Sequence, residues 1–140
     1  MKRINELLPA AMQALKDSDL LQDEQTSIPK EYDGYVASFA PSVITAGLKA
    51  TLSFYTDNHK SSPKRVRILN LLHTIYKKEC AHLSGKNLLE IALDTNATDE
   101  RQFKNDLINC AVALKLVMRN FKQVESETSM DTQNQNPKQS

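Results

Sequence analysis

Apolar residues recur along this chain at the spacing of α-helices. Near the N-terminus they follow one another at intervals of three and four residues, which places them on one helix face: Ile4, Leu7, Leu8, Ala11 and Leu15. No segment alternates β-branched and polar residues as a half-buried strand does. A chain of 140 residues can form one domain with its own core. We therefore expect an all-α fold, a single compact bundle of five to six helices with no sheet.

The helical segments are expected at roughly 3–21, 29–57, 63–82, 86–94 and 99–121. We expect the polar stretch 22–29 to be a linker. Beyond Gln123 the apolar pattern stops, and the polar remainder cannot bury enough surface to offset the entropy of ordering it. The sequence thus predicts a helical bundle domain over residues 1–122 and a disordered polar C-terminal tail over residues 123–140.

The second helical segment contains two residues that disfavour helices, Pro41 and Gly47. Its apolar positions keep helical phase across Pro41, which favours one kinked helix, or two abutting helices, with the bend at the proline. Glycine costs a helix interior about 1 kcal/mol relative to alanine. Because Ala46 and Ala50 flank Gly47, we interpret the glycine as a loss of bulk that lets another helix cross at close range. The alternative is a tolerated glycine without a role.

Membrane and secreted proteins are poor matches for this sequence. No stretch approaches the roughly 18 apolar residues of a membrane span, and polar residues interrupt the basic N-terminus where a signal peptide would be apolar. Two cysteines, Cys80 and Cys110, are too few for a disulfide framework. Both fall on apolar helix faces, where we interpret them as small core residues. We expect a cytoplasmic protein that does not associate with membranes.

The sequence lacks the common enzyme signatures GxSxG, HExxH and GxGxxG and the Walker phosphate loop. Three potential metal ligands, His73, Cys80 and His82, lie within one helical segment and its end. They make at best half of a zinc site, because a fourth ligand would have to come from elsewhere. A helical enzyme or metal-binding protein using these three residues is one alternative. We expect no catalytic residue, no metal and no cofactor.

A basic band lies in the middle of a chain whose net charge is only +1. Residues 59–86 carry seven Lys or Arg and one Glu, whereas the segments before and after are net acidic. Such a band can bind nucleic-acid phosphates without sequence readout, although an ordinary solvated helix face is the alternative. The few aromatic residues are assigned to the core, so we expect no base stacking. The residues predicted to contact RNA phosphates are Lys60, Lys64, Arg65, Arg67, Lys77 and Lys78, with a weaker second strip of Lys115, Arg119 and Lys122.

The stretch YVASFAPSVITAGLKATLSFY, residues 35–55, resembles the hallmark of a known family. That family is the small all-helical subunit of the type III-B CRISPR effector, the Cmr RNA-silencing complex. Its pattern is a tyrosine-containing helix, a proline, an apolar pair, a small or polar residue, Gly-Leu, and a downstream Leu-x-Phe. The chain departs from it at Ala46 and Lys49, where the family often has asparagine and a second small residue. The matching positions that we assign as a structural motif are Pro41, Gly47, Leu48, Leu52 and Phe54.

The resemblance implies a non-catalytic subunit that stacks in several copies along a ribonucleoprotein filament. Its implied partners are the backbone RAMP subunit, the Cas10-type large subunit, other copies of itself, and the crRNA and target RNA whose groove it helps to line for antiviral defence. The basic band would then be part of an electrostatic wall along the RNA. Leu20, Val112 and Leu116 lie off the main apolar stripes and are candidates for subunit contacts. The alternative is a helical protein-interaction adaptor without RNA binding, whose basic face meets an acidic partner.

Overall fold

The computed structural model describes residues 3–56, 63–80, 87–94 and 100–125. Six helices and two short strands lie within these ranges. The helices are α1 (Ile4–Asp17), α2 (Glu31–Ala46), α3 (Leu48–Thr56), α4 (Pro63–Glu79), α5 (Leu88–Leu93) and α6 (Glu100–Met118), and the strands are β1 (Ser27–Pro29) and β2 (Lys122–Val124). A mostly helical fold, as the apolar spacing predicts, is confirmed.

Helix α6 packs against α1, α2 and α4. Helix α3 packs against α2 and α4, and α5 packs against α3. One core joins all six helices, because each contributes fully buried apolar side chains. Examples, one from each helix in chain order, are Leu7, Phe39, Leu52, Ile75, Leu88 and Leu114.

Local sequence signals set several helix boundaries. Pro63 is the first residue of α4, a position where its missing N–H costs no helical hydrogen bond. Before α5, the side chain of Asn87 accepts a hydrogen bond from the Glu90 backbone N–H at 2.8 Å. The Glu90 carboxylate in turn accepts one from the Asn87 N–H at 2.9 Å, which completes a capping box. This reciprocal cap helps a helix of only six residues to begin where it does.

The expectation of no sheet is wrong. Strands β1 and β2 pair in parallel, with Ser27 opposite Lys122 and Pro29 opposite Val124. β1 is buried and places Ile28 in the core, so the stretch predicted to be a linker is part of the fold. Strands of three residues are too short to show an alternating pattern, which is why the sequence did not predict them.

The predicted boundary between residues 122 and 123 falls inside β2. The strand is also tied to the start of α2, because the backbone N–H of Lys30 donates to the carbonyl oxygen of Val124 at 2.8 Å. Lys30 and Glu125 form an ion pair beside this bond, and the carboxylate raises the pKa of Lys30. Residues 126–140, most of the predicted tail, lie outside the described residues.

Helix α2 continues through Pro41 and ends at Ala46, so the break between the two helices of this segment lies at Gly47 and not at the proline. The backbone of Gly47 has φ +95° and ψ 158°. That region is essentially restricted to glycine. Close helix crossing is not the reason for the glycine, because a Cβ built at Gly47 would meet none of the described atoms within 4 Å. Gly47 is therefore required for its backbone conformation.

Helix α3 runs back along α2 after this turn. The Tyr55 hydroxyl donates to the backbone carbonyl of Tyr35 at 2.7 Å, and the Tyr55 ring packs edge-on against Phe39 with centroids 5.4 Å apart. The helical phase shared by the two segments therefore does not mark one continuous buried face. Two large apolar side chains of this helix pair are exposed, Ile44 by 74% and Phe54, which as an aromatic residue was expected in the core, by 47%.

Candidate nucleic-acid interface

Helix α4 carries every described member of the predicted basic band. Its apolar face packs into the core through Ile68, Leu72 and Ile75, which are fully buried. The cations lie on the remaining surface, and Lys60 is outside the described residues. Arg67 and Lys77 are ten residues apart, which is about 15 Å along a helix. The band is therefore divided into an N-terminal group (Lys64, Arg65 and Arg67) and a C-terminal group (Lys77 and Lys78).

In the N-terminal group, Lys64 forms an ion pair with Glu31 in the first turn of α2. The ammonium nitrogen lies 3.0 Å from a carboxylate oxygen, and the two side chains are 28% and 25% exposed. Partial burial shields this pair from solvent more than a surface pair would be shielded. The charge of Lys64 is thus compensated within the chain and links α4 to α2.

Arg65 contacts aromatic rings of two other helices. Its guanidinium carbon lies 4.8 Å from the ring centroid of Tyr35 on α2 and 4.9 Å from that of Phe54 on α3. These are cation–π distances. The neighbouring Tyr55 is held by its bond to the Tyr35 carbonyl and by a hydrogen bond of 2.8 Å to the Ser38 hydroxyl, while burial raises the pKa of Tyr55.

Arg67 donates a hydrogen bond from its guanidinium to the Tyr32 hydroxyl at 3.1 Å. That bond, followed by the attraction of Asp19, raises the pKa of Arg67. Arg67 also lines an open cleft of about 220 Å³ between the end of α1 and α4, together with Asp17 and Asp19. Two carboxylates beside one guanidinium make this cleft mixed in charge, although the arginine side chain itself is exposed.

The C-terminal group has different surroundings. Lys77 and Lys78 are exposed in the last turn of α4, where positive charge interacts favourably with the helix dipole. On the buried side of the same turn, the Tyr76 ring packs edge-on against Phe103 with centroids 5.1 Å apart. Burial, followed by the nearby Asp106 carboxylate, raises the pKa of Tyr76 to about 12.

The predicted second strip lies at the other end of the chain. Lys115 on α6 is half-buried, Arg119 follows one turn later and is exposed, and Lys122 is exposed at the start of β2. Of the candidates for subunit contacts, Leu116 is 40% exposed between these cations and Val112 is half-buried. The prediction that Leu20 is available for a subunit contact is wrong, because its side chain is only 3% exposed and belongs to the core.

The two cysteines lie close to each other in the fold. Cys110 is fully buried in α6, Cys80 follows α4 and is half-buried, and both are thiols. A hydrogen bond between them, followed by burial, raises the pKa of Cys110. Within the described ranges, no three His, Cys, Asp or Glu side chains converge as metal ligands, and His82 lies outside those ranges.

Sequence reasoning missed the aromatic surroundings of Arg65 and the acidic partner of Lys64. Glu31 is 33 residues from Lys64, and neither spacing nor composition links the two. Tyr35 and Phe54 meet at Arg65 only because α3 runs back along α2. The one sequence signal for this arrangement is Gly47, which has the backbone conformation that the reversal needs.

Comparison with known proteins identifies the family. A family model described as CRISPR-associated protein (Cas_Cmr5) matches residues 8–120. The match runs from within α1 to the turn that precedes β2, and so includes most of α1 and all of α2 to α6. The chain belongs to the Cas_Cmr5 family. The resemblance found in residues 35–55 is therefore confirmed, and the chain is a small Cmr5-type subunit of a type III-B CRISPR complex.

Members of the Cas_Cmr5 family are non-catalytic small subunits, and membership implies association with other subunits of a Cmr complex. No curated protein and no solved structure matches the chain. Within the part of the chain that the structure describes, every helix is too short or too polar to cross a membrane.

Proposed function

We propose that this Cmr subunit stacks in several copies along the effector filament and helps to line the groove that holds crRNA and target RNA. Its contribution is positive charge beside the RNA backbone, without catalysis, in antiviral defence. The observation that carries the proposal is the pair of exposed ammonium groups of Lys77 and Lys78 at the end of α4. The proposed neighbours are the backbone RAMP subunit and the Cas10-type large subunit.

The exposed and the compensated cations of the basic band have different proposed roles. Lys77, Lys78 and the exposed Arg67 contact phosphates, because a solvent-exposed cation releases counterions when it meets RNA. Lys64 is compensated by Glu31, so it contributes less to phosphate binding and more to the position of α4. Lys60, Arg119 and Lys122 are proposed as additional phosphate contacts, with Lys115 the least accessible member of the second strip.

The test replaces Lys77 and Lys78 by alanine in the reconstituted effector complex. Removing one lysine–phosphate contact should reduce the slope of log affinity against log salt concentration by about one, so the double variant should reduce it by about two. Binding should weaken uniformly across RNA sequences, because phosphate contacts carry no sequence information. The measurement is equilibrium binding of target RNA over a series of salt concentrations.

The matched control is Lys16→Ala with Lys49→Ala. Both lysines are exposed, and they lie on α1 and α3, outside the basic band. This variant removes the same charge and should leave the salt slope of the complex close to that of the wild type. Equal losses in the two double variants would show that net charge, and not the end of α4, governs RNA affinity.

A protein-interaction adaptor is the second candidate, and exposed apolar side chains favour it. Leu93 is 59% exposed and Leu116 40% exposed, in addition to Ile44. An adaptor would need these side chains for assembly, while RNA binding by the complex would not depend on its lysines. Native mass spectrometry of complexes that carry Leu116→Asp measures how many copies are incorporated. A lower copy number together with an unchanged salt slope for the Lys77 and Lys78 variant would favour the adaptor.

A further inference from the structure

Three helices place one planar side chain each at the same point of the surface. We name the three residues the aromatic–arginine cluster: Tyr35 on α2, Phe54 on α3 and Arg65 on α4. The guanidinium carbon of Arg65 lies within 4.9 Å of both ring centroids. The cluster thus combines two aromatic rings with a delocalised positive charge.

The cluster is accessible, unlike most aromatic side chains of the chain. Phe54 is 47% exposed, whereas Phe39 and Phe103 are almost completely buried. Tyr35 and Arg65 are partly exposed beside it. A large aromatic side chain that stays at the surface next to a cation can bind a flat ligand without any rearrangement of the core.

The rings are also held in place before any ligand arrives. The Phe54 ring packs against the adjacent Tyr55 ring with centroids 6.1 Å apart. Tyr55 is in turn anchored to the backbone of Tyr35 and to the hydroxyl of Ser38. Because both rings lie on helices that are fixed to each other, little side-chain entropy remains to be lost on binding.

We propose that the aromatic–arginine cluster binds an unpaired RNA base, which stacks on the Phe54 ring beside the guanidinium of Arg65. This inference rests on the proposed function, because the ligand is the RNA of the same complex. Unstacked bases bind to proteins by stacking on aromatic rings and on guanidinium planes, with little dependence on base identity. The expectation of no base stacking depended on every aromatic side chain being in the core, and Phe54 is not.

A nucleobase fits this cluster better than a protein surface does. Protein interfaces use contiguous apolar patches, and the other exposed large apolar side chain of the α2–α3 pair is Ile44. Nine residues, or about 13 Å of helix, separate Ile44 from Tyr35 along α2. Phe54 therefore lies among an arginine and a tyrosine rather than within an aliphatic patch shared with Ile44.

The test uses the assembled complex and replaces Phe54 by alanine or by leucine. Leucine keeps apolar volume and so preserves the fold, but it removes the aromatic face. Both variants should weaken RNA binding by about 5- to 150-fold, the range measured for loss of one stacked base. The salt slope should stay at the wild-type value because every lysine and arginine is retained, and Phe54→Tyr should restore affinity.

A second measurement identifies the base directly. Single abasic sites are moved along the unpaired part of the RNA, and affinity is measured at each position. The wild-type complex should lose affinity at one position for each copy of the subunit that binds a base. The Phe54→Leu complex should bind the intact RNA and that abasic RNA equally well, because the base has lost its stacking surface.

The outcomes separate this inference from the proposed function. If Phe54→Leu leaves affinity unchanged while the Lys77 and Lys78 variant lowers the salt slope, the stacking site is excluded and the proposed function stands. If Phe54→Leu reduces incorporation of the subunit but assembled complexes bind RNA normally, the cluster is a protein contact. If the wild-type complex has the same RNA affinity with and without this subunit, both proposals fail.

Discussion

The two ends of α4 carry similar charge in different surroundings. Near its N-terminus the cations contact side chains of α2 and α3, and near its C-terminus they extend into solvent. The first group is Lys64, Arg65 and Arg67, and the second is Lys77 and Lys78. Positive charge in a sequence therefore has two distinct uses here. Near the N-terminus Lys64 and Arg65 link α4 to α2 and α3, whereas the ammonium groups near the C-terminus are exposed to solvent.

The largest expected effect comes from Gly47→Ala, because it disturbs the return of α3 on which the N-terminal group depends. Alanine must adopt a backbone conformation essentially restricted to glycine, at a cost of about 1–3 kcal/mol in the free energy of unfolding. The exposed C-terminal group should not be affected. Urea denaturation followed by circular dichroism measures the loss.

The matched control for this prediction is Gly34→Ala. A Cβ at either glycine would meet none of the described atoms within 4 Å, but Gly47 alone of the two has a positive φ. Gly34 is exposed within α2, so alanine there should stabilise the fold by about 0.4–1 kcal/mol. Equal effects at the two glycines would contradict a role for the backbone conformation of Gly47.

A smaller effect is expected when the charge of Lys64 is removed. Lys64→Met keeps most of the aliphatic stem but leaves Glu31 without its ammonium partner. We expect the free energy of unfolding to fall by about 1 kcal/mol, the upper end of the range for exposed ion pairs, since this pair is partly buried. Thermal denaturation of the variant, of Glu31→Gln and of the double variant gives the coupling between the two side chains.

Lys78→Met is the control at the other end of α4. Its side chain is exposed, so the substitution should change stability by no more than about 0.5 kcal/mol. In the effector complex, Lys78→Met should have the larger effect of the two substitutions. It should reduce the salt slope of RNA binding more than Lys64→Met does. A larger stability loss for Lys78→Met would remove the distinction between the two groups.

The sequence could predict the helices but not the relation between α2 and α3. The buried face of α6 follows from its spacing, because that helix packs through one continuous stripe, as at Phe103, Leu107 and Leu114. Across Gly47 the spacing of apolar residues is misleading, because helical phase does not reveal that the chain reverses its direction. The sequence could not predict the contacts of the cations either, because Glu31, the partner of Lys64, is 33 residues away.

The last prediction concerns the buried side of the C-terminal end of α4, where the Tyr76 ring packs against Phe103 of α6. Its pKa in the folded protein is raised to about 12, above the ordinary value of about 10. The folded state therefore holds this proton more firmly than the unfolded state does. The stabilisation is complete below pH 10 and is lost as the pH rises through 12.

Tyr76→Phe removes this titration and keeps the ring against Phe103. The difference in stability between the wild type and Tyr76→Phe should thus decrease from about pH 10 to about pH 12, while contributions from other groups cancel. Tyrosinate absorbance should show one fewer late-ionising tyrosine in the variant. If the difference in stability between the wild type and Tyr76→Phe does not change with pH, solvent reaches the Tyr76 hydroxyl. Tyr76 would then contribute to the C-terminal end of α4 through the apolar contacts of its ring, which would make the contrast with the ion-paired Lys64 at the N-terminal end sharper.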